Sequence, residues 1–499
     1  MRPRTWIAPF VAVVVLITLS AWAESVESLL ESARYSQRNG DHAKAIEQLT
    51  RAVQIGTTNP DVYFRRAFSY ERIGNFAEAV KDYTRALQID PALVTAYNNR
   101  GSVLFRQSNI GQGKIDQAKL DQAIADFNRA IELNPTYALA YYNRGNAYYA
   151  KDDLSKAVSD FTEAIKLNTG DADSYNNRGW AYLQMNKPQE ALADFNRALE
   201  LSPNYALAYF NRGNARLKLG DPDGAIKDFA SAIGLNPDYG LAYFQMGNAY
   251  LTKGDPGKAI EEYNQAARVI PTHAELYTNR GWAFFKKGNI AQALRDLTKA
   301  VSIQPKLTRA YVNRGWVEKR AHECARAVQD FSRALELDAK AAHVYAYRAE
   351  CYVEMGQEDQ AAQDLQEAIR LDPANPDALL MLGILKEKSG DYEAAIKYFT
   401  ALASATPDDA AAHFSLGEAL GKQGRFTQAI RELNRALELN PRYREALVAR
   451  AAAFEFLGDR ERARSDLAAA LSLPEGEKEA YGLRLPAASV NLKRIVTAK

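Results

Sequence analysis

The stretch AYYNRGNAYY, from Ala140 to Tyr149, decides the fold, because its tyrosine, asparagine, arginine and glycine return in fixed order every 34 residues. The glycine column runs Gly101, Gly145, Gly179, Gly213, Gly247, Gly281 and Gly315, then Ala349, Gly383, Gly417 and Ala451, with Ala67 and Ala33 before it. One step, from Gly101 to Gly145, is 44 residues, so one repeat carries a ten-residue insertion. Thirteen units follow, from Val26 to about Glu477. A short fixed period replaces the usual expectation of several globular domains with one quasi-linear array.

Within a unit such as Ala206 to Pro237, a helical pattern reaches Leu219, Gly220-Asp221 make a turn, and a second helical pattern runs to Leu235. Asp221 is suited to cap the second helix, and Pro222 to its first position, where the missing N–H would be unpaired anyway. Asn236-Pro237 then stops it. The second helix has alanine in one column of all thirteen units, for example Ala157, Ala191 and Ala225, with a ring four residues on at Phe161, Phe195 and Phe229. Small residues facing the glycine column let two helices approach closely while the ring fills the space beside them. One hairpin cannot bury that face alone, so neighbours must stack.

These residues resemble the tetratricopeptide repeat family over about nine tenths of the chain. The resemblance implies an all-α fold, a right-handed α-solenoid of about 13 helical hairpins whose first helices line a concave groove for a peptide or protein segment. Three departures stand out. The insertion within residues 108–119 interrupts the turn of repeat three, with loop expected over Ser108 to Gly113 and a lengthened second helix from Ile115. Repeats eleven and twelve put Leu382 and Leu416 in the arginine column. Beyond Glu477 the phase is lost, and residues 478–499 read as a terminal cap and tail.

Nine arginines, Arg66, Arg100, Arg144, Arg178, Arg212, Arg280, Arg314, Arg348 and Arg450, each find an aspartate 16 residues on, or 26 across the insertion, from Asp82 to Asp466. Such matched occurrence points to an internal salt bridge joining the two helices, because a guanidinium taken out of water needs a carboxylate. The tyrosine column, from Tyr63 to Tyr345, reads as packing. The amide column, Asn99, Asn143, Asn177, Asn211, Gln245, Asn279 and Asn313, is different, since asparagine favours helices poorly and has no charged partner here. It resembles the asparagine ladder in the tetratricopeptide superhelix of O-linked N-acetylglucosamine transferase, here without that enzyme's catalytic domain, which implies capture of an extended backbone. The alternative is that each amide bonds locally within its hairpin. Trp180, Trp282 and Trp316, with Tyr142, Phe210 and Phe244, are the rings expected beside such a groove, some of them serving as core.

The amino terminus has arginines at Arg2 and Arg4, an apolar run from Trp6 to Leu19, and Ala21-Trp22-Ala23 before Glu24. Residues 1–23 read as an export signal, giving a periplasmic or extracellular protein of bacterial type; the alternative is an uncleaved anchor over residues 5–23, the only route to membrane attachment. The 63 basic and 61 acidic side chains leave a net charge of +2, with no global basic footprint for nucleic acid. Cys324 and Cys351 fall on helices expected to touch, either as a disulfide or as two small packing residues. The five histidines are scattered, no nucleophile motif or phosphate-binding loop is present, and neither a cofactor nor a metal is expected. The expectation is a non-enzymatic scaffold for a protein or peptide partner. Two alternatives stay open: a spacer in a cell-envelope assembly, tethered by an uncleaved anchor, and a detached regulatory partner of a glycosyltransferase or other envelope enzyme.

Overall fold

The computed structural model describes residues 25–109 and 114–473. The expected leader and tail lie outside the described residues, as do residues 110–113 of the insertion. The described residues form 26 helices, paired into hairpins, and the chain divides between Lys253 and Gly254 into two compact units.

The first unit holds the hairpins Val26–Arg38 with His42–Gln54, Pro60–Arg72 with Phe76–Ile89, Val94–Ser108 with Gln117–Leu133, Ala138–Ala150 with Leu154–Leu167, Ala172–Gln184 with Pro188–Leu201, and Ala206–Lys218 with Pro222–Leu235. It ends on the first helix of repeat seven, Gly240–Thr252. The second unit begins with Pro256–Val269 and continues through Ala274–Lys286 with Ile290–Ile303, Thr308–Arg320 with Cys324–Leu337, and Ala342–Glu354 with Glu358–Leu371. Its last hairpins are Pro376–Lys388 with Tyr392–Ala405, Ala410–Lys422 with Phe426–Leu439, and Arg444–Phe456 with Arg460–Ser472.

Close helix approach follows from residue size. Ala225 and Phe229 are fully buried, and a Cβ added at Gly213 would stand 2.6 Å from the Phe229 ring. Burying such a ring contributes roughly 1.5–3 kcal/mol. That face is completed only by the next unit: Phe229 shares one cluster with Ala242, Met246 and Ala249 on Gly240–Thr252. In repeats eleven and twelve leucine replaces the arginine, and Leu416 joins Phe399, Leu433 and Leu447 in one cluster.

Turns between paired helices use the left-handed region, as at Gly220 with φ 77°, where the absence of a Cβ removes the steric cost. Asp152, Asn186 and His322 hold the equivalent position at φ 63°, 57° and 62°. In repeat three the first helix continues through Ser108, where loop was expected, and the second begins at Gln117 with Asp116 capping Lys119 N–H. Its 17 residues, against 14 in Leu154–Leu167, show that part of the insertion lengthens this helix, from Gln117 and not Ile115. Ile115 instead forms an isolated antiparallel bridge with Asn109.

All nine arginine–aspartate pairs form. Arg178 is typical: Nε donates to Asp194 Oδ2 at 2.8 Å and Nη2 to Oδ1 at 2.7 Å. The remaining nitrogen, Nη1, donates to Thr162 Oγ1 at 3.1 Å on the second helix of the preceding repeat. Arg144 reaches Asn128, Arg212 reaches Asn196 and Arg348 reaches Ser332 in the same way. The tyrosine column stacks on these cations, with Tyr175 5.7 Å and Tyr209 5.4 Å from the guanidinium carbon. Burial lifts the carboxyls of Asp126 and Asp194 while their arginines pull the other way.

Candidate functional site

Within each unit, first helices of neighbouring repeats touch one another: Ala138–Ala150 meets Ala172–Gln184, which meets Ala206–Lys218, and Ala274–Lys286 meets Thr308–Arg320. Among the described residues the second helices make no comparable contact with each other. Within each unit these first helices therefore form one layer, and that unit's amides lie on it.

In the amino-terminal unit the amides act as stitches between repeats. Asn143 Nδ2 donates to Asn98 Oδ1 at 2.9 Å and to Ser102 Oγ at 3.3 Å. Asn177 Nδ2 donates to Asn146 Oδ1 at 2.9 Å and to the Tyr142 hydroxyl at 3.2 Å. Asn211, only 4% exposed, donates to Asn176 Oδ1 at 2.9 Å. These three donors thus reach the first helix of the preceding repeat, where bonding within the hairpin was the alternative expected. Asn99 also reaches back, donating to the Tyr83 hydroxyl at 3.4 Å, but on the second helix of the preceding repeat. Gln245 differs, accepting from Asn248 one turn along its own helix.

The stitching occupies amide nitrogens and leaves oxygens. Among the described residues no donor reaches Oδ1 of Asn143 or Asn211, and neither oxygen is sealed from solvent. One helical turn before these amides stand Leu139, 47% exposed, and Leu207, 42% exposed; Leu241 holds the same place before Gln245 at 42%. Residues four apart share a helix face, so acceptors and apolar side chains lie together. Trp180 is half-buried, with Nε1 donating to the Tyr149 hydroxyl at 2.6 Å. Phe210 and Phe244 are buried, the former tilted against Phe229 and Tyr239, so these two rings are core and not rim.

In the carboxy-terminal unit Asn279 Oδ1 accepts from Arg309 Nη2 at 3.0 Å, and Asn313 lies half-buried in the same column. Trp282 packs on Phe285 at 5.1 Å, Phe285 on Trp316 at 6.1 Å, and Trp316 on Tyr347 at 6.1 Å, a file of rings across three first helices. Lys286 Nζ lies 5.3 Å from the Trp282 ring, and Lys319 Nζ and the Arg320 guanidinium 5.5 and 5.7 Å from that of Trp316. These flanking cations were missed from the sequence; only their spacing of three or four residues from a tryptophan signals them.

Cys324 and Cys351 share a buried cluster, as the contact between their helices required, but both are free thiols. Cys324 Sγ donates to Glu354 Oε2 at 3.0 Å, and burial pushes the Cys324 thiol up to about 11 and raises that of Cys351 as well. The disulfide, one of the two readings of this pair, is not formed in the structure. Among the described residues no cluster of His, Cys, Asp and Glu could hold a metal ion, and no helix is long and apolar enough to cross a membrane.

Stacked hairpins of one repeating pattern define an α-helical repeat fold. Profiles described as tetratricopeptide repeat match residues 138–170, 172–205, 206–239 and 274–307, residues 240–273 and 410–443, residues 312–376, and residues 356–420. Another, described as TPR repeat, matches residues 72–108 and 111–152. The chain belongs to the tetratricopeptide repeat family. Similar solved structures include YrrB, described as a TPR protein with an unusual peptide-binding site, at 28% identity over 37% of this chain and 95% of that one, TM-score 0.33. MamA is 25% identical over 34% of this chain and 92% of its own, TM-score 0.32. A tetratricopeptide repeat protein from Parabacteroides merdae is 21% identical over 50% and 98%, TM-score 0.40. Comparison with curated proteins yields no match.

Proposed function

We propose that this chain is a non-catalytic scaffold that holds an extended peptide segment against the first-helix face of its amino-terminal unit, across repeats four to seven. The family fold supports protein–protein interaction in general. The observation that carries the finer reading is the pairing of unengaged Asn143 and Asn211 oxygens with exposed Leu139 and Leu207 one turn away. An extended segment offers backbone N–H groups along each edge and side chains on alternate faces. Amide oxygens accept the former without selecting sequence, and the leucines cover apolar side chains. At Asn143 both amide N–H groups are spent on stitching, so its oxygen is what it offers a bound segment.

A photo-crosslinking residue placed at Leu139 or Leu207, compared with one at the exposed Arg197 or Glu200 on a second helix, tests the reading. Partner crosslinks confined to the first-helix positions support it; equal yield from both faces, or yield from the second helix alone, overturns it. Export belongs to the same proposal and rests on the composition of Met1 to Ala23. Amino-terminal sequencing of the mature protein supports it if the chain starts at Glu24 and counts against it if Met1 remains.

A further inference from the structure

We infer that the first-helix face of repeats eight and nine, in the carboxy-terminal unit, is a docking surface for an acidic peptide segment, with Lys286, Arg309 and Arg320 receiving its carboxylates. This rests on the reading of the family face as a peptide-binding surface but uses different residues in a different unit.

The argument begins from which cations are answered. Thirteen residues into their repeats, cations recur down one column, and several have carboxylate partners: Arg106 meets Glu71 at 3.3 Å, Lys422 meets Glu387 at 2.9 Å, and Lys388 meets Glu358. In that column Arg38, Arg72, Lys286 and Arg320 are exposed and meet no carboxylate among the described residues, and of these four Lys286 and Arg320 are the two that lie on a tryptophan ring. Arg309 is exposed too, and its guanidinium reaches only the neutral Asn279 oxygen. Structural cations in this chain are otherwise closely matched, nine arginines by nine aspartates and Lys319 by Glu350. On these two helices the exposed acidic side chain is Glu275 alone, since Glu318 is buried.

The three cations are also held in place. Lys286 and Arg320 lie on the rings of Trp282 and Trp316, which are joined through Phe285. Ring contacts fix a long side chain without neutralising it, so less rotamer freedom is lost when an anion arrives. Charge left unmatched beside half-buried aromatic surface fits a segment carrying Glu or Asp with apolar residues between them. Single-stranded nucleic acid fits less well, because the tryptophan faces that would stack on bases are occupied by these cations and neighbouring rings.

Fluorescence anisotropy on the full chain tests this with a fluorescein-labelled Glu/Gly/Leu peptide, its counterpart with Lys for Glu, and a labelled oligothymidine. Saturable binding of the acidic peptide alone is expected, weakening with salt and falling roughly tenfold or more in Lys286→Glu/Arg320→Glu. Both positions are exposed, and Lys286→Gln/Arg320→Gln, with a melting curve, separates lost charge from lost fold. Absence of binding, binding unchanged by the reversals, or tighter binding of oligothymidine overturns the inference. Crosslinking from Leu139 and Leu207 is independent of these residues, so the acidic surface can fail while the peptide-scaffold reading stands.

Discussion

Arg178 and Asp194 are joined by two parallel hydrogen bonds of 2.8 and 2.7 Å, and the third nitrogen of the same guanidinium holds Thr162 of the preceding repeat. The side chains are 17% and 8% exposed, so the pair is largely withdrawn from water. Asp194→Ala leaves the cation without its partner and is expected to cost about 3–5 kcal/mol. Denaturant melts would register the loss, and amide exchange would place it in repeats four and five. Replacing both members by Met and Leu is expected to recover most of it, since that removes the buried charge altogether.

Asn211 and Asn143 occupy one column but differ in burial. Asn211→Asp sets a carboxylate oxygen against Asn176 Oδ1 where an amide N–H now donates, in a site only 4% exposed. A loss of about 2–3 kcal/mol is expected there. Asn143→Asp, only half-buried and so open to water, should lose less. Equal melting temperatures for the two variants would contradict this order.

His322 holds φ 62° at a turn where Gly220, Gly254, Gly288 and Gly356 stand in other repeats. A side chain in that region costs about 1–2 kcal/mol, partly offset by the greater freedom of glycine in the unfolded chain. His322 is exposed and its ring holds no partner in the core. His322→Gly should therefore stabilise the protein by roughly 1 kcal/mol, visible as a higher denaturant midpoint.

Glu318 stands where other repeats carry an aromatic residue such as Tyr182 or Tyr352, and its Oε2 is buried without a hydrogen bond. Burial, with Asp330 nearby, raises its carboxyl to about 7, against the pull of Arg314. The unfolded group ionises near 4.5, so between that pH and about 7 the folded state holds more proton and stability falls as pH rises. Glu318→Gln removes the slope. It should raise Tm by about 2–4 °C at pH 8 and give no comparable gain at pH 4, as differential scanning fluorimetry would show.

The fold was legible because small and large residues recur at one period, and the arginine–aspartate strut because both partners recur with it. The reach of each arginine to the preceding repeat was not, since its acceptor column mixes Thr162, Asn128, Asn196 and Ser332, which share only an oxygen. The amide stitches were hidden for a related reason: Asn98 and Asn176 sit in one column and Asn146 in another, so no single period marks the acceptors. Phe210 and Phe244 looked like groove rings because alternation on a thin layer does not reveal which side of a helix faces its neighbour. Charge matching carried the remaining signal, and only the folded arrangement shows that Lys286 and Arg320 lie on rings without a carboxylate while Lys422 meets one.

The links that the arginine and asparagine columns make between repeats share a direction. Arg178 reaches back to Thr162, Arg212 back to Asn196, Asn177 back to Asn146 and Asn211 back to Asn176. A chain emerging from its amino terminus therefore presents each such donor after its backward acceptor has been made, and the clamping aspartate follows 16 residues later. Each repeat can be secured to a finished neighbour without waiting for the one behind it, so the array is suited to being completed in the order of its synthesis.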